Sequence, residues 1–151
     1  MAPASVWYFA YGSNLSRAQM QSRVGQILDA RPARLENHEL LFNKKARGGS
    51  AEANVQPARG KTVHGVLYRL TDSGLRNLDR ATGVPVHYRR IEVTVFDADG
   101  NKVNAQTYIA SKVEKGLRPA SHYVQAILTG AGEHGLPADY IDGIRQAAGL
   151  A

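Results

Sequence analysis

Gly12, Ser13 and Asn14 come one residue, Tyr11, after an apolar run, Val6-Trp7-Tyr8-Phe9-Ala10, and precede a helical pattern. Small hydrogen-bonding residues at such a junction can do one of two things. Glycine can turn the chain while Ser13 or Asn14 caps the next helix. Alternatively, exposed backbone N–H groups and a hydroxyl can be presented to an anionic ligand at a helix N-terminus. This stretch alone leaves both readings open. Other chemistry is sparse. The histidines, His38, His64, His87, His122 and His134, form no i,i+4 pair on one helix and no HExxH, so no metal site is expected. Walker A, GxGxxG and GxSxG motifs are absent, so neither a nucleotide cofactor nor a serine nucleophile is indicated, and no cofactor is expected. There is no cysteine, which removes disulfides, thiol catalysis and Cys-ligated zinc.

Elements must position whatever chemistry the junction performs. Residues 6–11 read as a first strand and 15–24 as a short helix, capped by Asn14 or Ser13. Residues 26–44 alternate like a strand around Pro32, which predicts an edge or bent strand. Residues 45–61 carry the Gly, Pro and charge of a long surface loop. "TVHGVLYRL", 62–70, predicts a strand, followed by a helix capped at Thr71 or Asp72 and ended by Gly83. Residues 88–110 predict a hairpin around Asp99-Gly100. Two helices close the sequence, over 119–135 with Tyr123, Ile127 and Leu128 inward, and over 136–150. Strands joined as hairpins, without regular βα alternation, predict an α+β fold: a curved, mainly antiparallel sheet or small barrel with a few helices around it.

The 151 residues are read as one domain, with 43% hydrophobic residues to form its core. No apolar run approaches a membrane span, and the first residues lack the basic leader of a signal peptide, so a cytoplasmic protein without membrane contact is expected. The formal charge is +6. It is scattered, with "NKKARGG", 43–49, the nearest thing to a patch, and no nucleic-acid motif accompanies it. Solvated faces or an attraction for acidic small molecules account for such charge better than nucleic-acid binding does. The oligomeric state is not legible.

Four stretches in order, "YFAYGSNL", "VHGVLYRL", "LDRATGVPVHYRR" and "YVQAILTGAGEHGLPADYIDGI", together resemble the gamma-glutamylcyclotransferase superfamily, which includes AIG2-like and BtrG-like proteins. The likeness runs nearly the full length, and the last stretch pulls toward the gamma-glutamylcyclotransferase branch. The resemblance implies a small, mainly antiparallel β-barrel flanked by helices. It implies intramolecular aminolysis, in which the α-amine of a γ-glutamyl group attacks its own γ-carbonyl and 5-oxoproline forms. That chemistry needs a general base, donors for an oxyanion and a folded substrate chain. By the same resemblance Tyr11, Gly12, Ser13, Asn14 and Leu15 form the substrate cradle, with Tyr88 and Tyr123 in the pocket.

One position departs from the pattern. The family's segment is usually LDxxEG, with the glutamate as base, whereas here it is Leu78-Asp79-Arg80-Ala81-Thr82-Gly83. A threonine hydroxyl cannot take the ammonium proton as a carboxylate does. Asp79 could substitute from the same helix face, although its usual role in the family is structural. The protein could instead bind without turnover, or use a base borne by substrate or water. Glu52 and Glu133 are further carboxylates that a folded-over segment could bring in.

Overall fold

The computed structural model describes residues 4–150. Five strands close a barrel in the order β1-β3-β2-β4-β5: β1 is Ser5–Ala10, β2 Asp29–Lys45, β3 Ala51–Thr71, β4 Tyr88–Asp97 and β5 Lys102–Ala110. All neighbours are antiparallel except β1 and β5, which pair in parallel at Tyr8 and Gln106 and seal the barrel. Four helices flank it: α1 Arg17–Val24, α2 Asp72–Thr82, α3 Ser121–Glu133 and α4 Ala138–Ala147. The small mixed barrel with flanking helices is the α+β architecture expected. Phe9, Val63, Val66, Leu67 and Val95 of the strands are buried together with Leu78 of α2 and Ile127 of α3.

The β4–β5 hairpin turns at Asp99-Gly100 as expected, and Asp97 explains why it is tight. Its Oδ1 accepts the amides of Asp99 at 3.0 Å and Asn101 at 2.9 Å. Thr71 caps α2 by accepting Gly74 N–H at 3.0 Å, and Gly83 ends that helix in the left-handed region.

Three local expectations are corrected. Residues 51–61 are not loop: β3 begins at Ala51, and only residues 46–50 turn the chain. Ala51, Ala53 and Val55 are buried, and pairing with β2 overrides the weak strand propensity of this stretch. Its Gly60 belongs to a register shift, where Gly60 N–H donates to Asn37 Oδ1 at 3.0 Å. β2 is no edge strand, because Ala33 and Arg34 also pair with β4. Finally, α1 is capped by Ser16, which accepts from Gln19 N–H, and not by Ser13 or Asn14. Ser13–Leu15 form a single 3-10 turn, so their polar groups serve other purposes.

Candidate active site

A cleft of about 820 Å³ opens beside that turn. Tyr11, Gly12, Ser13 and Asn14 line it, and so do Thr82, Tyr88 and Tyr123. Among the described residues, the backbone amides of Gly12, Ser13 and Asn14 donate to no protein acceptor. The turn is held from behind. Tyr11 Oη donates to the Tyr108 carbonyl at 2.7 Å, and Asn14 Nδ2 donates to Tyr8 Oη at 2.9 Å. Arg23 of α1 donates to Asn14 Oδ1, which places a guanidinium at the cleft. Leu15 contributes differently. Its side chain is fully buried away from the cleft lining, while its carbonyl accepts Tyr68 Oη at 3.0 Å and lies 3.1 Å from His134 Nε2.

Tyr88 and Tyr123 grip one residue of β3 by its two flanking peptide groups. Tyr88 Oη donates to the Ala53 carbonyl at 2.7 Å, and Ala53 N–H donates to Tyr123 Oη at 2.8 Å. Burial pushes both phenols well above their ordinary range, so both stay protonated at neutral pH. Tyr8, also on the cleft, is pushed up to about 12 by burial, against the opposing effect of its Asn14 hydrogen bond. Tyr8 and Tyr123 each accept a hydrogen bond from the protein, and neither O–H proton has a protein acceptor among the described residues. They are therefore donors available to a ligand.

The grip on Ala53 also sets its neighbour. Glu52 lies on the cleft wall, opposite Lys44 in the β2–β3 register, with Lys44 Nζ 3.6 Å from Glu52 Oε1. Lys44 is buried, and its ammonium donates to the Lys45 carbonyl at 2.8 Å and to His87 Nδ1 at 3.1 Å. Lysine has no acceptor, so His87 carries its proton on Nε2 when neutral. Lys44 also sits over the Tyr88 ring.

The residues of the LDxxEG-like segment separate. Thr82 lines the cleft, and its Oγ1 is shielded from solvent with no hydrogen-bond partner among the described residues. Asp79 is not on the cleft lining. Its Oδ1 accepts Tyr108 Oη at 2.6 Å and pairs with Arg90 Nε at 3.1 Å, locking the end of α2 to β4 and β5. Glu133 also lies elsewhere, where Arg17 N–H approaches it at 3.5 Å. Sequence reasoning named Glu52 only as a fallback and missed Tyr8, Arg23, Lys44 and His87. The signal for Lys44 and Glu52 is the hairpin register, which the loop-like composition of residues 45–61 conceals.

Comparison with known proteins decides the lineage. A gamma-glutamylcyclotransferase of Bos taurus is 33% identical over 143 residues, covering 90% of this chain and 75% of the relative. The Homo sapiens gamma-glutamylcyclotransferase is 32% identical over the same length and shares. The chain belongs to the gamma-glutamylcyclotransferase family. A model of the AIG2-like family matches residues 62–144. A solved structure titled gamma-glutamyl cyclotransferase superposes with a TM-score of 0.88 at 30% identity, over 94% of this chain and 87% of that one. The family match thus spans both the barrel and the helices that frame the cleft. No described helix is long and apolar enough to cross a membrane.

Proposed function

We propose that the cleft binds a γ-glutamyl compound and closes it to 5-oxoproline, releasing the amine or amino acid carried on the γ-carbonyl. The observation supporting this reading is convergence: the free amides of residues 12–14, the Tyr8 and Tyr123 hydroxyls and the side chain of Thr82 line one cleft from separate parts of the chain. In the reaction the α-ammonium loses a proton and its nitrogen attacks the γ-carbonyl carbon. The carbonyl oxygen takes up negative charge, which loop amides can stabilise as preorganised donors. The bond to the leaving nitrogen then breaks, and that nitrogen receives the proton. Holding the glutamyl chain bent brings amine and carbonyl into attacking distance.

The proton acceptor is the altered part. Thr82 offers a hydroxyl where the family resemblance puts a glutamate. Asp79 is engaged by Tyr108 and Arg90. We assign the residual acceptor role to Glu52, the carboxylate on the cleft wall. Glu52 is already close to Lys44, and Thr82 contributes no base, so wild-type turnover is slow. A well-placed base is worth roughly 10²–10⁴ in rate.

The test is 5-oxoproline release from γ-glutamyl dipeptides by wild type, Thr82→Glu, Glu52→Gln and Asp79→Ala. Slow release that Thr82→Glu raises and Glu52→Gln abolishes supports the proposal. Brisk wild-type release surviving Glu52→Gln rejects the assignment of the base. The Thr82 substitution also favours a second reading, a binding or regulatory protein without turnover. Tight binding with no release by either wild type or Thr82→Glu selects that reading instead.

A further inference from the structure

We infer that the ligand of this cleft is a γ-glutamyl compound whose released amine itself carries at least two carboxylates, such as an acidic amino acid or a short γ-linked glutamate chain. This rests on the γ-glutamyl reading and names its substrate class. The lining is unbalanced in charge. Among the described residues Arg23, Lys44, Lys45, Arg47 and Arg80 border the cleft, against the single carboxylate of Glu52. Its free hydrogen-bonding groups are donors as well: the amides of residues 12–14 and the hydroxyls of Tyr8 and Tyr123.

A γ-glutamyl group is zwitterionic at its α-carbon and brings one carboxylate, which the Arg23 side of the glycine loop can receive. The carboxylate of a simple leaving amino acid adds one more. The remaining cations are on different segments. Lys45 ends β2, Arg47 lies in the turn before β3, and Arg80 stands near the end of α2. None of these three has an ion-pair partner among the described residues, and the only side-chain hydrogen bond of Arg80 goes to the neutral Asn77. Such a rim holds positive potential over the mouth of the cleft and raises the local concentration of anions. An exposed ion pair is worth at most about fivefold in an equilibrium. Several cations acting on one extra carboxylate should therefore favour it by roughly fivefold to tenfold, and less as salt screens the rim.

The experiment compares γ-glutamyl-glutamate with γ-glutamyl-glutamine, which has the same shape and one charge fewer. Binding is read by calorimetry and 5-oxoproline release separately, for wild type and for Lys45→Gln/Arg47→Gln/Arg80→Gln. The expected result is a preference for the glutamate dipeptide of at least about fivefold in Kd or kcat/KM. It should shrink with salt and fall to near one in the triple variant, whose melting temperature verifies folding. Equal handling of both dipeptides by wild type, or a preference that the triple variant retains, overturns the inference while leaving the γ-glutamyl reading intact. If neither dipeptide binds or is cyclised, the γ-glutamyl reading fails, and this inference with it.

Discussion

Thr82 carries a hydroxyl cut off from water with nothing to bond to among the described residues. A buried polar group in that condition costs about 1–3 kcal/mol. Replacing it with valine, which keeps the shape, should raise unfolding stability by roughly 1 kcal/mol, readable as a higher denaturant midpoint at unchanged m-value. The same substitution should leave γ-glutamyl binding nearly unchanged, because the shielded hydroxyl presents no group to a ligand. A Thr82→Val protein that is less stable, or that binds much more weakly, would show the hydroxyl to have a partner after all. Asp79 behaves in the opposite manner, because its carboxylate has partners. Asp79→Ala removes the acceptor of Tyr108 and the counter-ion of Arg90, and should cost about 1–3 kcal/mol of stability. Its loss of turnover should then track loss of fold, with no change in the pH dependence of the surviving activity.

At the scale of elements, the site depends on how closely α3 approaches the glycine turn. A Cβ added at Gly130 would stand 2.4 Å from Leu15 C and from Ser16 N, both of them backbone atoms. Gly130→Ala must push α3 away from the turn, and should cost about 1–3 kcal/mol, as overpacking in a tight interior does. Affinity for γ-glutamyl ligands should drop along with stability. An alanine variant with wild-type melting and binding would mean that the turn and α3 are not mechanically joined. This contact could not be read from the sequence, where Gly130 sits in a helical stretch like any tolerated glycine. The β4–β5 hairpin was legible because alternation and Asp99-Gly100 are local signals. The cradle at residues 11–14 and the aromatic positions 88 and 123 were named from the family resemblance. The β2–β3 arm was illegible: Glu52, Pro57, Arg59, Gly60 and Lys61 look like loop, and only pairing with β2 makes them strand. Lys44 and Glu52 become neighbours only through that pairing.

At the scale of the whole molecule, two histidines couple stability to pH. Burial lowers the pKa of His134, against its hydrogen bond to the Leu15 carbonyl, and burial with the nearby Arg34 lowers that of His64. In the unfolded chain both titrate near about 6.5. Below that pH the unfolded state binds more protons than the folded one. Stability is therefore full above about pH 6.5 and is lost as pH falls through the depressed folded values. Chemical denaturation from about pH 7.5 down to about pH 5 should show a falling midpoint, and His134→Gln should flatten part of the fall. A midpoint independent of pH over that range would contradict the partial burial of both rings. The parallel seam of β1 against β5 has a further consequence, in time. The cradle residues are made early by the ribosome, yet their supports come far later in the chain: Tyr108 for Tyr11, Thr107 for the Phe9 carbonyl and His134 for Leu15. Contacts so distant in sequence form slowly and together. A nascent chain halted before β5 would therefore carry all of "YGSN" with no pocket to hold it, and ligand capture should begin only once α3 has emerged.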